Sequence, residues 1–476
     1  MKKNHLFGMF AMAAFAFASC SQDEVVTQSP QVNKAIEFGT YVGRDAVSRG
    51  SVHTLGTLAD NENLGFGVFA YYTDEGDYVA ATTEAAGEVT GTTASPCNFM
   101  YNQQVKGTST TTGTGEDAVT TYSWTYSPVK YWPNDPGDKL TFFAYAPYDD
   151  ADKEGDADNI SFSQHTTTSG EEGSQTTTVM AGDPIITFKV NKTVKNQTDL
   201  LISKTDNRNM RKNTGIEVDE KVNFQFAHAL SRIGFTVKAI VDEVTAPESN
   251  ANLLDANTTI VVKEVRLVGA SGTGNEAPAT PIFHSQGTVN LNQQGVNPTT
   301  GTYTQVAWTV SQNDTKQYFT LGNANFEPQT DFAAIYDEVG FVINNANSTA
   351  PNKLNTDDSY IMIIPQNFVG SGFVVYVDYD VITMDTNIGN DGNTYDGLKS
   401  KVTNHISTPI EIDFQSGKAY KLNLQLGMTS VKVTADVDPW VDAADSNVDL
   451  PQNTPTPTPA TPTPENGTNG EGGTSN

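Results

Sequence analysis

The sequence predicts an all-β protein, and three observations carry that prediction. Apolar and polar residues alternate with a period of two along most of the chain, whereas the 3.6-residue period of an amphipathic helix is nearly absent. The alternating runs are rich in Val, Thr, Tyr and Phe, the residues that suit a pleated, half-buried surface. The segments between them are rich in Gly, Thr and Asp, which favour turns and loops. Many short strands at this spacing suggest β-sandwiches.

The chain opens with Lys2 and Lys3, an apolar run from Leu6 to Ala18, and Ala18-Ser19-Cys20. A charged start, a short apolar stretch and small residues before a cut make 1–19 a secretory signal. The run, about 13 residues, is shorter than the roughly 20 that a membrane-spanning helix needs. Cys20 directly after the small residues fits a lipoprotein signal, with Cys20 acylated as the new N-terminus. Ser21-Gln22-Asp23-Glu24 resembles the acidic surface-export tag of Bacteroidota lipoproteins, and a polar, charged segment of this kind remains accessible to a sorting machine.

The first strand follows. In "NKAIEFGTYV" (Asn33 to Val42), Ile36, Phe38, Thr40 and Val42 share one face, and Glu37, Gly39 and Tyr41 the other. Next come "GFGVFAYY" (Gly65 to Tyr72), "YSWTYSPVKYWP" (Tyr122 to Pro133), "KLTFFAYAPY" (Lys139 to Tyr148) and "IITFKV" (Ile185 to Val190). Long loops are expected over Gly107 to Ala118 and Asp149 to Gly182. In "KVNFQFAHALSRIGFTVKAIV" (Lys221 to Val241), Val222, Phe224, Phe226, His228 and Leu230 share a face. The apolar phase then slips to Ile233, Phe235 and Val237, which predicts a bulge or turn at Ser231-Arg232.

A boundary is expected near Ala246-Pro247-Glu248-Ser249-Asn250, separating β-domains at 50–246 and 247–450. The second half offers "TTIVVKEVRLVG", "YFTLG", "VGFVI", "SYIMIIPQ", "GFVVYVDYDVI", "GKAYKLNLQLG" and "SVKVTADVDPW". In the last of these, Val431, Val433, Ala435 and Val437 share a face, and Trp440 after Pro439 is expected to cover a sandwich end. From Pro451 the composition changes to a Thr-Pro tract and a Gly-rich end. Proline at this density favours an extended, semi-rigid spacer, so 451–476 reads as a disordered tail.

Composition narrows the function. The net charge is -28 and the isoelectric point about 4.4, which argues against nucleic acid or an anionic membrane surface as partner. There are only two cysteines; with Cys20 acylated, Cys97 has no intramolecular partner and stability must come from core burial. The six histidines include no i, i+4 pair of the zinc-protease type, and there is neither a phosphate-binding Gly-rich loop nor a G-x-S-x-G elbow. His228 alternates in phase with buried aromatics and reads as a core histidine. The stretch from Asp385 to Gly397 looks calcium-like, but Gly389 stands where a ligand is needed and no Glu closes the loop. No catalytic residue, metal site or cofactor is expected, and nothing positive supports an enzyme.

Several stretches together resemble the fimbrillin (major and minor fimbrial protein-like) family of Bacteroidota. They are "LGFGVFAYY", "VKYWPNDPGDKLTFFAYAPYD", "TDLLISKT", "VNFQFAHALSRIGFTV", "GKAYKLNLQLG" and "VKVTADVDPW", in the family's order, from about Ala35 to Leu450. The resemblance implies two transthyretin-like Greek-key β-sandwich domains in tandem and a role as a fimbrial (pilus) subunit or pilus-associated surface protein in adhesion or biofilm formation. It further implies a lipoprotein precursor that reaches the cell surface through the outer membrane. An Arg-specific protease would then remove the lipidated piece, here 20–49. The lost strand would leave a groove for a strand from another fimbrial subunit.

The matching parts are at hand. Ile36, Phe38, Thr40 and Val42 mark the candidate removable strand. Arg49, flanked by Ser48 and Gly50, is the preferred processing site, with Arg44 the alternative. Val431, Val433, Ala435 and Val437 mark a candidate donor strand, which reads equally as a terminal core strand. The competing reading is a non-polymerising surface lipoprotein, an anchor or tip subunit, or a module that binds a glycan or host receptor through loop aromatics such as Tyr71, Tyr72 or Tyr78.

Overall fold

A computed structural model describes residues 34–42, 58–59, 65–80, 94–114, 118–150, 159–162, 167–169, 176–178, 182–211, 221–239, 254, 257–269, 278–294, 306–311, 314–329, 339–348, 350–385, 387, 399–428 and 430–440. The protein is all-β. Among the described residues, helical geometry is confined to the pair Leu58-Ala59 and three short 3-10 turns.

The strands of the first half are β1 (Phe38–Val42), β2 (Phe66–Thr73), β3 (Met100–Thr112), β4 (Val119–Thr125), β5 (Lys139–Ala146), β6 (Ile160–Phe162), β7 (Thr167–Ser169), β8 (Thr176–Thr178), β9 (Ile185–Lys189), β10 (Leu201–Ser203), β11 (Asn207–Met210) and β12 (Val222–His228). Those of the second half are β13 (Ser231–Ala239), β14 (Thr258–Val268), β15 (Phe283–His284), β16 (Gln286–Asn290), β17 (Trp308–Thr309), β18 (Lys316–Gln317), β19 (Phe319–Gly322), β20 (Phe341–Ile343), β21 (Asn352–Lys353), β22 (Ile361–Ile363), β23 (Phe373–Met384), β24 (Lys399–Ile410), β25 (Lys418–Leu426) and β26 (Val431–Pro439).

The first large sheet runs β1-β12-β10-β5-β2-β3-β4, with β11 also on β5. Through β2 and β5 both of its faces are buried. Phe66, Val68, Ala70, Phe142 and Ala144 face one core with Phe224 and Phe226. Phe69, Tyr71, Phe143 and Tyr145, one residue out of phase, face a second core shared with the other half of the chain. This explains why β5 is buried at every position and reads as a continuous apolar run rather than an alternation.

The second half holds two facing sheets, β21-β13-β25-β26 and β19-β14-β23-β24, with β22 added to β13 and β20 to β14. Phe235, Val237, Leu422 and Leu424 from one meet Val265, Leu267, Val375 and Val377 from the other in that same second core, as in a β-sandwich. A further sheet, β17-β16-β9-β6, joins strands of both halves, with β9 and β16 antiparallel from Ile185↔Asn290 to Lys189↔Gln286.

Sheet membership departs from the expected boundary. β13 already belongs with the C-terminal strands, pairing parallel to β25 from Arg232↔Ala419 to Ala239↔Leu426. The change of sheet falls at Ala229-Leu230 rather than near 246. The phase slip read as a bulge or turn at Ser231-Arg232 is therefore the point where the chain leaves one sheet for another. A slip of one residue turns the buried face around, and here a different core receives it.

Three other readings also change. The stretch Asp149 to Gly182, expected as a loop, holds β6, β7 and β8. The Thr-rich stretch after Gly107 is strand through Thr112, because its hydroxyls find cross-strand partners: Thr108 with Ser123 at 2.7 Å and Thr111 with Thr120 at 2.9 Å. The single strand expected over Tyr122 to Pro133 is split. β4 ends at Thr125, Pro128 cannot donate to a ladder, and the extended residues after it pair elsewhere.

Candidate assembly site

The segment 34–42 lies at one edge of the first sheet. On one flank β1 runs parallel to β12, from Phe38↔Val222 to Val42↔Phe226. On the other, Ala35 bridges antiparallel to Tyr131; Ile36 N donates to Lys130 O at 2.9 Å, and Trp132 N to Lys34 O at 2.9 Å. Tyr126 reinforces this seam by donating its hydroxyl to Ile36 O at 2.9 Å, and burial raises its pKa. The two flanks are used by different residues: 38–42 pair with β12, and 34–36 with 130–132.

The inward side chains are those the alternation marks. Ile36, Phe38 and Thr40 are buried, each apolar side chain contributing about 1.5–3 kcal/mol. Val42 lies in β1, at the end of its ladder with Phe226. Phe38 occupies an aromatic pocket: ring centroids lie 5.1 Å from Tyr126, 5.7 Å from Phe224, 6.1 Å from Phe142 and 6.2 Å from Phe66. Thr40 fits less well, since its buried hydroxyl has no hydrogen-bond partner among the described residues, which costs about 1–3 kcal/mol. Glu37 points outward, 3.7 Å from Lys221.

β26 forms the opposite pole. It is an edge strand, antiparallel to β25 from Lys418↔Pro439 to Leu426↔Val431. Val431, Val433 and Ala435 are half-buried against the sandwich core, whereas Val437 is 53% exposed. Lys432 and Pro439 guard the free edge, both poor templates for further pairing. Trp440 follows at once and is deeply buried. It sits not over an open sandwich end but at the junction of the two halves, its main-chain N–H bonded to Gly417 O at 2.9 Å and its ring on His228.

The chemistry-bearing residues are built into the core. His228 is buried and its Nδ1 donates to Asp199 Oδ2 at 2.7 Å. Cys97 is buried and free, and burial pushes its thiol up to about 12. Tyr71, one of the aromatics considered for glycan stacking, is fully buried and donates to Gly182 O at 2.8 Å. Tyr78 packs edge-on to Tyr71 and donates to Asp183 at 3.0 Å, and Tyr72 donates to Asp138 at 2.9 Å. These rings are committed to the fold, and Tyr71 offers no face to a ligand. Among the described residues, no group of His, Cys, Asp or Glu is placed to hold a metal, and no helix is long and apolar enough to cross a membrane.

The structure thus places the removable-strand and donor-strand candidates at two separate edges. Cys20, Arg44, Arg49 and the Thr-Pro tail lie outside the described residues, as does nearly all of the Asp385 to Gly397 stretch. Sequence reasoning missed the seam partner at 130–132 and the place of Trp440. The run "VKYWP", with alternating Val129, Tyr131 and Lys130, Trp132, held the signal for the first.

A family model described as Fimbrillin-like matches residues 61–440. Fimbrium subunit Fim1C of Phocaeicola vulgatus is 26% identical over 455 residues, covering 93% of this chain and 98% of that protein. The crystal structure of a fimbrial protein from Bacteroides vulgatus superposes with a TM-score of 0.56 at 21% identity, covering 86% of this chain and all of that one.

Proposed function

Since the chain belongs to the fimbrillin-like family, we propose that it is a structural subunit of cell-surface fimbriae that serves adhesion or biofilm formation. In this reading the signal 1–19 directs export and Cys20 carries the lipid of an outer-membrane precursor. An Arg-specific protease cuts after Arg49, or after Arg44, and frees 20–49. The segment 34–42 then gives way to a strand from another subunit, and Val431, Val433, Ala435 and Val437 belong to the strand this chain donates in turn. The tail 451–476 is a spacer. No catalysis is assigned.

One observation carries the reading. A short segment, connected to the rest of its sheet only through 43–64, is hydrogen-bonded on both flanks and plugs the first core with Ile36 and Phe38. The two arginines stand directly after it. Removing such a strand exposes apolar surface and the unpaired main-chain edge of β12, a strong template for strand addition.

Treatment of the purified precursor with an Arg-specific protease tests this. A new N-terminus at Gly50 or Asp45 is the expected result, with SDS-resistant oligomers once the cut chain is mixed with other fimbrial subunits. A cleanly cut chain that remains monomeric in that mixture would sink assembly by strand exchange.

A further inference from the structure

We infer that the groove under 34–42 selects a strand from a different kind of subunit, one bearing an aromatic side chain at the Phe38 position, and rejects this chain's own 431–437 strand. The inference rests on the reading of 34–42 as a replaceable strand and names its replacement.

The Phe38 pocket is walled by four rings: Tyr126, Phe224, Phe142 and Phe66. The Phe224 ring is stacked at 25° to Phe38, and those of Phe66 and Phe142 meet it edge-on at 85° and 79°. Such a pocket is shaped for a flat side chain, and aromatic pairs are favoured beyond the area they bury. An aliphatic occupant would leave a cavity, because rigid walls relax only partly around a smaller side chain.

The strand 431–437 cannot supply the ring. Its inward set is Val431, Val433, Ala435 and Val437. A strand alternates strictly, so every register that keeps this set inward brings Val or Ala to the pocket. Trp440 falls on the other parity. The neighbouring Gly39 position does not select, because a Cβ there would meet only the side-chain end of Asn223, which is exposed and can swing aside. The preferred occupant therefore reads apolar, any, aromatic, any, aliphatic, running parallel to β12. The last position follows from the unpaired Thr40 hydroxyl, which an aliphatic side chain would not bury.

This separates the two poles of the subunit. Its groove accepts one kind of strand and its C-terminal strand fits another kind of groove, so chains of identical copies are disfavoured and mixed assembly is built in.

Fluorescent peptides offered to the full chain after cleavage by an Arg-specific protease test this by anisotropy. One carries 34–42, one carries 34–42 with Phe38→Val, and one carries 431–440. The first is expected to bind, and the other two at least tenfold more weakly. Equal binding of 431–440 and 34–42 would overturn the inference while leaving strand replacement standing. Failure of all three would overturn both, since the groove would not open to any strand. A second measurement needs no cleavage: Phe38→Val in the intact chain should lower the thermal midpoint by several degrees, and an unchanged midpoint would show that the pocket does not discriminate.

Discussion

The indole of Trp440 lies flat on the imidazole of His228, their centroids 4.1 Å apart and their planes within 1° of parallel. One ring ends β26 and the other ends β12, so the stack ties the last strand of the second half to the last strand of the first sheet. Arg232 adds a third layer, its guanidinium 5.1 Å from the Trp440 ring and 4.6 Å from Tyr360. The contact sits where the chain changes sheets, and it makes the C-terminal strand a brace between the two halves.

Trp440→Ala should therefore do more than trim an edge strand. Emptying a deeply buried indole site costs about 3–5 kcal/mol, and the loss should appear in chemical denaturation. Amides of β26 should also exchange faster than those of β25, as local opening of the brace requires. Trp440→Phe, which keeps a stacked ring, should recover part of both.

Thr40→Val should act in the opposite direction. It removes the hydroxyl that lacks a partner among the described residues and keeps the branched shape. A gain of about 1 kcal/mol is expected, seen as a higher thermal midpoint of the uncut precursor. The variant should also hold 34–42 more firmly after cleavage, slowing any release of the segment.

Gly65 and Gly370 separate conformation from space. Gly65 has φ +67°, and a Cβ on it would meet Val105 O at 2.0 Å. Gly370 has φ +81° but nothing within 4 Å of the added carbon. Gly370→Ala should cost about 1–2 kcal/mol, the left-handed backbone term alone. Gly65→Ala should cost clearly more, because main chain rather than a flexible side chain must move. Thermal melts of the two variants, side by side, check the order.

Alkaline stability follows from the buried acids that are neutral in the fold. Cys97 is raised to about 12 from an ordinary value of 9.0, and burial raises Tyr71 and Tyr145 well above 10.0. A raised pKa means that the unfolded state releases its proton first. The stabilisation is thus whole below about pH 9 and is lost as pH rises through the folded values. Unfolding midpoints should fall steadily above that pH. At pH 8 the native thiol should resist iodoacetamide and react once the chain is unfolded.

Much of the fold was legible from alternation. β5, β12, β14, β25 and β26 lie within stretches marked by their apolar period, and β2 and β23 overrun theirs by one or two residues, because a half-buried strand must present one face to a core. Ile36, Phe38 and Thr40 point inward for the same reason. Where the signal failed, the cause was a partner rather than a propensity. The threonines from Thr108 to Thr112 resemble a linker until Ser123 and Thr120 stand opposite. Tyr71 resembles an exposed platform because Tyr72 beside it is partly open, yet the sheet is covered on both faces.

The sequence alone determined the class of fold, the apolar face of the strands that bury one side, the acidic surface and the absence of a recognisable catalytic motif, since all of these follow from local composition and period. Only the tertiary structure decided which strands meet. It took the fold to place β13 with β25 across about 190 residues of chain, to set 34–36 against 130–132, and to lay Trp440 on His228. Hydrogen bonding between strands carries no address in its backbone, so alternation says that a strand has a partner and packing of the side chains says which.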